Sequence, residues 1–542
     1  MKSQKEFSNI KRIYYGPEID HCVKCGGGLK RSHTKWRKPI QFLSGAYYII
    51  NQAYRCACAT CRESWPQVYS SVYADGLSLA YQSYGLEVIV YIGNERLRNH
   101  KTMAEIHDAL VSEYGLQISA RHVQNLYDEY LVLSACSHGQ RLAKYRPAIE
   151  ANGGIVLAID GAKPEKGQPG LYLFRDAASG CRLHCALLPS ADQETLSQEL
   201  KVVKALGFAI QAVISDDERA TVAAVADVFP DVPHGLCHIH FLKAVQKPIY
   251  EKDQQLAKVL KQPIRALSKV ERVVKHQPEA LESLSSAQHQ ALRRYLDALR
   301  GVLLTKGQAP FRLAGATIYE ALNRLTASLE RSLDEQTNQI LHQLKRMAET
   351  HQSQQALYER VLEQQAWFLG LAELLHVPVT ETAGWSTLAG VEVAQDVHDY
   401  LDSLALLQDD LPDDAPLFDH MRRRLAEWAP GLFWTYDLHA LPRTNNDMET
   451  DIGNLKEQYR RTTGRRSLKD YLMRYGPYLA FDDENDDPEE LLLWFQDIDR
   501  KTYLCEKEKL DALREHLRNI HRFRSDPDDF LAETERLWAD SS

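Results

Sequence analysis

GIVLAIDG, residues 154–161, is the stretch that decides the fold. Five consecutive apolar residues lead directly into Asp160, and glycines flank the run. A short apolar run of this kind predicts a buried β-strand, and an isolated carboxylate at its end would be costly to bury. We therefore expect a compensating partner for Asp160.

More strand-like runs follow at short intervals. They cover residues 171–180, 182–190, 208–216 and 232–240, and helices are predicted over 193–206 and 218–229. Three strands in succession, followed by alternating helix and strand, is the order of a ribonuclease H-like (RNase H-like) sheet. The predicted fold class is therefore α/β, with an RNase H-like catalytic core.

Two further acidic residues complete a candidate metal site. Asp216 follows the strand AVIS (212–215), at the carboxyl end where open α/β sheets place their sites. Glu449 lies near the start of an amphipathic helix within residues 443–461. Carboxylates are ligands for Mg²⁺, and two such ions can serve an attacking and a leaving oxygen. We predict that Asp160, Asp216 and Glu449 hold a pair of Mg²⁺ (or Mn²⁺) ions.

Asp217 competes with Asp216 as the acid at the end of the second strand. Successive side chains of a strand point to opposite faces, so only one of these two carboxylates can face the metals. A carboxylate at a strand end can also be a turn cap or an ion-pair partner. That structural role is the alternative for Asp160 and Asp216, each taken alone.

The gap between Asp216 and Glu449 is far longer than an RNase H-like core needs, and from Phe241 to Leu438 it reads as helical. Apolar residues recur there at helical spacing, which predicts long packed helices. They are Leu322, Leu325, Leu329, Leu333, Ile340, Leu344 and Met347. We expect a helical insertion with this stripe in its internal core, and a dimer seam is the alternative.

Five cysteines predict a zinc ribbon in the N-terminal segment. Cys22 and Cys25 form one pair, and CACATC supplies Cys56, Cys58 and Cys61. Two thiolates with two residues between them can share one tetrahedral zinc ion. Cytosolic chains use such cysteines for metal more often than for disulfides. Spacing leaves open whether Cys61 pairs with Cys56 or with Cys58. Alternating polar and apolar residues between the two groups suit a small β-ribbon.

A helix-turn-helix is predicted between residues 86 and 135. Thr102 and Glu105 form a capping box at the start of one helix, and Ser119 can cap the next. The second helix would read DNA through residues near its exposed N-terminal end. These are Arg121, His122, Gln124 and Asn125. A helical hairpin with a packing role alone is the alternative.

Positive charge is concentrated in two stretches, although the chain carries a net charge of −9. The loop 482–490 alone holds seven acidic residues and no basic one. The first 45 residues hold ten Lys or Arg against three acids, and residues 456–469 hold six against one. The second stretch predicts phosphate contacts from Lys456, Arg460, Arg461, Arg465 and Arg466. A solvated charged face is the alternative.

Apolar runs in the sequence are far shorter than the roughly 20 residues that span a bilayer. The first residues also lack the apolar core of a secretory signal. We therefore expect no membrane association, and we expect the protein in the reducing cytoplasm.

Three segments resemble the catalytic blocks of prokaryotic insertion-sequence transposases related to the eukaryotic Mutator-like elements. The segments are AIDG (158–161), VISDDERATVAAVADVFPDVPHGLCHIHFLKAV (213–245) and TNNDMETDIGNLKEQYRRTTGRRS (444–467). The segment YGLEVIVYIGNERLRNHKTMAEIHDAL (84–110) and the zinc ribbon are also similar to members of that group. The resemblance implies a DDE transposase whose two Asp and one Glu fall on Asp160, Asp216 and Glu449.

The resemblance carries further implications. A Cys-x2-His motif follows the second Asp in such enzymes, and here it falls on Cys237 and His240. Zinc binding is one interpretation of this motif, and a structural or DNA-positioning role is the other. The resemblance also favours Cys56 with Cys61 as the second zinc knuckle and selects Asp216 over Asp217. The implied partners are the terminal inverted repeats of an element, target DNA and further copies of the chain, in a dimer or higher oligomer at the bacterial nucleoid.

Six segments are expected along the chain. They are a zinc ribbon (1–70), a helix-turn-helix (80–140), a first core part (150–242), the helical insertion (243–440), a second core part (441–480) and an acidic loop with C-terminal helices (481–542). An RNase H-like nuclease or resolvase without joining activity is one alternative function. A domesticated zinc-ribbon DNA-binding regulator is another.

Overall fold

The computed structural model describes residues 10–162, 167–276, 284–332, 339–377, 389–437, 443–481 and 486–540. The chain divides into two compact units. The first unit comprises Met1–Val213, Ala220–Val232 and Asn446–Ser542, and the second comprises Ile214–Arg219 and Pro233–Asn445. Among the helices of these described ranges, none has both the length and the hydropathy needed to cross a bilayer.

A three-stranded sheet begins the first unit. Its order is β1 (Lys11–Tyr15), β3 (Gly45–Cys56) and β2 (Leu29–Phe42), with β1 parallel and β2 antiparallel to β3. Two short helices follow, α1 (Ala59–Ser64) and α2 (Val72–Asp75). The β-ribbon that the sequence predicts between the two cysteine groups is therefore confirmed.

Four helices come next in the first unit. They are α3 (Leu86–Leu97), α4 (Met103–Ser112), α5 (Ala120–Cys136) and α6 (His138–Ala151). Both predicted helix starts are confirmed, because Thr102 and Glu105 form the reciprocal capping box of α4 and the Ser119 hydroxyl accepts the N–H of His122 at the start of α5. Helix α5 packs against α3 and α4. A Cβ at Gly93 would lie 2.2 Å from the Tyr130 ring, so only glycine fits at this crossing.

A five-stranded sheet has the order β6-β5-β4-β7-β8. Its strands are β4 (Ile155–Ala162), β5 (Gly170–Asp176), β6 (Arg182–Leu188), β7 (Ile210–Ser215) and β8 (His234–Leu236). The helices α7 (Gln193–Lys204) and α8 (Arg219–Val228) lie between the later strands in sequence. Strands β4, β5 and β6 pair antiparallel. The chain is therefore mixed α/β in the predicted element order.

Strands β4 and β7 both begin at the same end of the sheet, so they run in the same direction. The N–H of Ile155, the first residue of β4, donates to the carbonyl of Ala209, which immediately precedes β7. In the first unit the face of β4 with Ile155, Leu157 and Ile159 is buried in a core that includes residues of α7 and α8. The apolar run that predicted the strand is therefore explained by this burial.

The last predicted strand, 232–240, is too long. Strand β8 ends at Leu236, Cys237 is the N-cap of the next helix, and His238 is already helical. The N–H of Cys237 still donates to the carbonyl of Ser215, which extends the pairing with β7 by one bond. Alternation of apolar and polar residues continued past the end of the strand, so the pattern could not mark the change to helix.

The second unit consists largely of helices. They are α9 (His238–Ile264), α10 (Leu267–His276), α11 (Ser286–Leu304), α12 (Ala314–Ser332), α13 (Gln339–Ala348), α14 (Gln355–Leu374), α15 (Gly390–Ala405) and α16 (Ala415–Leu432). The described part of the predicted insertion contains no strand after β8, so its helical character is confirmed.

The predicted apolar stripe lies inside the second unit. Leu322, Leu329, Ile340 and Leu344 are buried in one core cluster, and Leu325 and Met347 pack against it. Leu333 lies outside the described residues. Residues that fill an internal core cannot also form a dimer seam, so the prediction of an internal stripe is confirmed for the described members.

The first unit resumes at Asn446 with six helices. They are α17 (Asn446–Thr463), α18 (Lys469–Tyr475), α19 (Pro488–Asp497), α20 (Arg500–Leu513), α21 (Glu515–Ser525) and α22 (Pro527–Asp540). The first part of the acidic loop, 482–485, lies outside the described residues. Asp486 of that loop is fully buried in an ion pair with Arg141 of α6. One acid of the loop therefore has a structural role.

Candidate metal centres

Four cysteine sulfurs come together beside the open end of the β2–β3 hairpin. The Sγ atoms of Cys22, Cys25, Cys56 and Cys61 all lie within 4.8 Å of one another. Cys25 Sγ is 3.4 Å from Cys56 Sγ, and Cys22 Sγ is 3.8 Å from Cys61 Sγ. Four thiolates are a common ligand set for structural zinc. This cluster could therefore bind zinc, as predicted.

A tight turn brings the first two sulfurs into the cluster. The N–H of Cys22 donates to the Gly27 carbonyl at 2.8 Å, and the N–H of Gly26 donates to the Cys22 carbonyl at 2.9 Å. Gly26 has a φ of +68°, which favours glycine at this position. The other two sulfurs come from Cys56 at the end of β3 and Cys61 within α1.

Cys58 lies outside the cluster. It is exposed and forms the N-cap of α1, between the two cysteines that join the cluster. Of the two alternatives that spacing left open, the geometry therefore brings together Cys56 and Cys61. The wider spacing is needed because Cys56 ends a strand and Cys61 follows on the first turn of a helix.

A tyrosine hydroxyl contacts the first cysteine of the cluster. The hydroxyl of Tyr69 lies 3.3 Å from Cys22 Sγ. Its hydrogen bond, with those from the backbone N–H groups of Cys25 and Lys24, lowers the pKa of Cys22 to about 6. A thiol with a lowered pKa is deprotonated at neutral pH. The cluster therefore offers a thiolate to a cation at neutral pH.

Two of the three predicted catalytic acids belong to the first unit. Asp160 is the sixth residue of β4 and is half-buried, and its carboxylate accepts the N–H of Gly161 at 2.7 Å. Glu449 lies in the first turn of α17 and is also half-buried. Helix α17 packs against β4. The fold therefore joins the elements that carry Asp160 and Glu449, despite their long separation in sequence.

An ion-pair clamp, formed by Asp451, Arg175 and Arg182, fixes the second turn of α17 to the sheet. The Asp451 carboxylate lies 2.9 Å from an Arg175 nitrogen of β5 and 3.5 Å from an Arg182 nitrogen of β6. All three side chains are less than 20% exposed, with values of 16% to 18%. Pairs with little solvent contact are screened less than surface pairs. The clamp therefore holds the turn that directly follows Glu449.

Replacing Asp451 with alanine should loosen the N-terminal part of α17 while the protein remains folded. The variant loses the ion pairs to both arginines, and pairs with little solvent contact are screened less than surface pairs. The matched control is Glu457→Ala on the same helix, because Glu457 forms an exposed pair with Arg461 and such pairs contribute little. Amide hydrogen exchange in α17, with circular dichroism as a folding check, tests this expectation. Equal exchange rates in the two variants would contradict it.

The third predicted acid, Asp216, belongs to a separate cluster in the second unit. Its carboxylate lies 2.7 Å from His240 Nδ1, and ligand atoms of Asp216, Cys237 and His240 all lie within 4.8 Å of one another. Asp217 is exposed instead. Of the two adjacent acids, the one that the resemblance selected is therefore the one held in a cluster of potential ligands.

The Cys-x2-His motif ties the start of α9 to neighbouring backbone. Cys237 is buried, and its sulfur accepts the N–H of Asn445 at 3.3 Å. The N–H of His238 donates to the carbonyl of Arg443 at 2.9 Å, and the His238 ring lies 3.1 Å from the Leu432 carbonyl. These contacts support the structural role proposed for the motif. Its donor set of carboxylate, thiolate and imidazole is also compatible with zinc.

Ionisation of His240 should make stability depend on pH. Burial opposes its charge, but hydrogen bonds to Asp216 and Cys237 outweigh burial and raise the pKa of His240 from 6.5 to about 10. A raised pKa stabilises the folded state fully below the unfolded value, and this contribution is lost as pH rises through the folded value. Between pH 7 and 10 the wild type should therefore lose more stability than His240→Gln. Denaturant unfolding without added divalent ions measures this, and identical pH profiles would refute it.

Two of the four residues predicted to contact DNA bases are exposed to solvent on α5. Arg121 and Asn125 are exposed. His122 is half-buried and its ring packs on Tyr84 at 4.9 Å between centroids, while the Gln124 amide donates to the Tyr475 hydroxyl at 2.9 Å. His122 and Gln124 therefore have structural contacts that the helix pattern did not indicate.

The basic stretch after Glu449 lies on the outside of the first unit. Lys456, Arg460, Arg461, Arg465 and Arg466 are all exposed. The opposite face of α17 is buried through Met448, Ile452 and Tyr459. Arg461 pairs with Glu457, and Arg465 pairs with Asp470. Positive charge is therefore available at this face, although part of it is compensated.

The sequence interpretation missed the clamp residues Asp451, Arg175 and Arg182 and the zinc-cluster contact Tyr69. Asp451 lies within the quoted helix, but its partners come from β5 and β6, and no sequence spacing could reveal that pairing. Tyr69 follows the second cysteine group closely, yet a single tyrosine carries no signal of a thiolate contact.

A comparison with protein-family models finds no match to the chain, and a comparison with curated proteins finds none either.

Proposed function

We propose that this protein is a DDE-class transposase, in which Asp160, Asp216 and Glu449 hold two divalent metal ions for DNA cleavage and strand transfer. The single observation that carries the proposal is the packing of α17, with Glu449, against β4, with Asp160. The two elements lie at opposite ends of a long helical segment, and they meet in the first unit.

The order and pairing of the strands support an RNase H-like core for this proposal. Three antiparallel strands, β4 to β6, are followed by β7 and β8 with a helix before each. Strands β4 and β7 begin at the same end of the sheet, since the N–H of Ile155 donates a hydrogen bond to the Ala209 carbonyl. Asp160 lies near the carboxyl end of β4, and Asp216 directly follows β7. This is the end at which open sheets carry their sites.

The residues of the chain fit divalent cations. Carboxylates are the protein ligands that Mg²⁺ uses, and it keeps several waters besides. When bound, a pair of such ions activates an attacking oxygen and stabilises a leaving oxygen. Asp160 and Glu449 would supply oxygen ligands, the Asp451 clamp would hold the turn that follows Glu449, and the exposed arginines of α17 would bind backbone phosphates.

The proposed reaction has two steps in one site. Water would first cut a phosphodiester at the end of the element and free a 3′-OH. That hydroxyl would then attack a phosphodiester of target DNA, joining the element end to the target and releasing a new 3′-OH. Neither step needs a covalent link to the protein, because one metal pair could serve successive in-line displacements with water and then the 3′-OH as the nucleophile.

Cleavage of an end duplex tests the metal-dependent chemistry. Inverted repeats, where they are found to flank the gene, would provide the duplex, and it would be labelled at its 5′ end. We expect a nick that leaves a 3′-OH when Mg²⁺ or Mn²⁺ is added, and no nick without a divalent ion. Omission is preferable to chelation, since a chelator would also strip zinc. Cleavage that persists without added divalent ions would contradict the proposal.

Two alternative functions remain as outcomes of further tests. A nuclease or resolvase would cut the duplex and never join it to a target. A DNA-binding regulator would bind without cutting. Inverted repeats bracketed by short target duplications around the gene would favour transposition over both.

A further inference from the structure

An arginine-lined groove lies among the C-terminal helices of the first unit. It has a volume of about 440 Å³, and its lining consists of Arg474, Arg514, Leu517, Arg518, His521 and Arg522. Arg474 comes from α18, and the other residues come from α21 and the residue before it. Five of the six lining side chains are cationic or can become so. No predicted site residue lies in this groove.

Helix spacing aligns three of these arginines. Arg514, Arg518 and Arg522 follow one another at intervals of four residues, so they lie along one face of α21, about 6 Å apart along the helix axis. Residues 514–524 hold four arginines and two histidines against one glutamate. Helix α21 has no buried residue. Arg518 and Arg522 are exposed, although Arg522 also pairs with Glu533 of α22. The outer part of the row therefore faces solvent and carries one arginine that is already paired.

Contacts within the first unit fix the inner end of this row. An Arg514 nitrogen lies 2.9 Å from the Asp128 carboxylate, and its Nε donates to the Arg474 carbonyl at 2.9 Å. Arg474 and Arg514 both stack over the Tyr475 ring, at 5.2 and 5.0 Å from its centroid. Arg514 is therefore held in place, whereas Arg518 is exposed and donates to the Asp511 carbonyl.

We propose that this groove binds the phosphate backbone of duplex DNA. A row of guanidinium groups suits phosphate, because each can donate two parallel hydrogen bonds. The open groove continues onto an exposed helix, which favours an extended polyanion over a small enclosed anion. The choice of DNA as the polyanion rests on the proposed function. The surface would add affinity without reading sequence, since backbone contacts carry no base information.

The test measures salt-dependent binding of the full chain to duplex DNA of unrelated sequence, without Mg²⁺. Each phosphate contact contributes about 0.9 to the slope of log affinity against log salt. Arg518→Ala/Arg522→Ala should therefore lower the slope by about 1.8 and weaken binding about tenfold at moderate salt. The matched control is Arg293→Ala/Arg294→Ala on α11, which removes two exposed arginines in the second unit.

Three results would overturn the groove proposal. The first is an unchanged salt slope in the groove variant, and the second is an equal change in the α11 control. The third is stronger retention of an acidic peptide or of single-stranded RNA than of duplex DNA by the wild type. Helix content by circular dichroism separates lost binding from lost folding. Failure of the proposed function looks different, because the groove would then bind DNA that the protein neither cuts nor joins.

Discussion

Replacing Cys61 with serine should abolish zinc binding and unfold the end of the N-terminal ribbon that carries the cysteines. The four-sulfur cluster loses one ligand, and binding energies of about 10 to 16 kcal/mol have been attributed to structural zinc in small domains. The core beside the cluster is small: besides the cysteines it includes Tyr69, with Leu29 and Tyr54 packed against it. Such a core gives little stability of its own, so the metal should dominate at this end of the ribbon, whereas Ile40 and Ile49 belong to a second core at the other end.

Zinc content and local protection measure this effect. We expect one zinc per chain at this cluster in the wild type, none there in Cys61→Ser, and rapid amide exchange at the cysteine end of β2 and β3 in the variant. Cys58→Ser is the matched control, because Cys58 is exposed and lies outside the cluster. Loss of zinc in Cys58→Ser, or retained zinc in Cys61→Ser, would contradict the assignment.

Replacing Asp160 with asparagine should abolish both cleavage and strand transfer while binding of the element ends stays nearly intact. Asparagine keeps the shape of the side chain and removes the charge that compensates a cation. Loss of a residue that merely supports a metal ligand costs about 10-fold to 100-fold, so loss of a ligand should exceed about 100-fold. Rates of both steps and end affinity by gel shift measure the outcome.

The matched control for this variant is Asp217→Asn. Asp217 is also an acid that follows a strand of the five-stranded sheet, but it is exposed and lies outside the Asp216, Cys237 and His240 cluster. It should therefore retain most of the activity. Loss of end binding in Asp160→Asn without a separate loss of chemistry would count against a catalytic role for Asp160.

Local sequence signals predicted the elements well because their causes are local. The capping box of Thr102 and Glu105 needs only residues within one helical turn. The run 155–159 predicted a buried strand because burial on both faces leaves no polar positions. Helical spacing likewise assigned Leu322 and Leu344 to an internal core. Each of these features depends on residues that are near one another in sequence.

Long-range features could not be predicted in the same way. Asp451 pairs with Arg175, but the second unit separates the two residues in sequence. No sequence pattern near either residue predicts this ion pair. The choice of Cys56 over Cys58 as the partner of Cys61 depended on where β3 ends and α1 begins. The end of β8 was missed because alternation continued through His240, although the helix begins at His238.

The candidate catalytic site was predictable in its parts. Asp160 and Asp216 stood out as acids at the ends of apolar strands, and the structure has them at those strand ends. Glu449 depended on the resemblance to transposases, since a glutamate near a helix start is common. The packing of α17 against β4 supplies a physical reason to join Glu449 with Asp160.

Joining of a labelled element end to a plasmid tests the central claim most directly. The duplex carries the terminal inverted repeat and a free 3′-OH, so the assay starts at the second step. With Mg²⁺ we predict labelled plasmid whose sequenced junctions link the 3′ end of the element to target DNA. Asp160→Asn and Glu449→Gln should give none. Cleavage of the duplex with no junctions, or junctions at wild-type levels in either variant, would contradict the account.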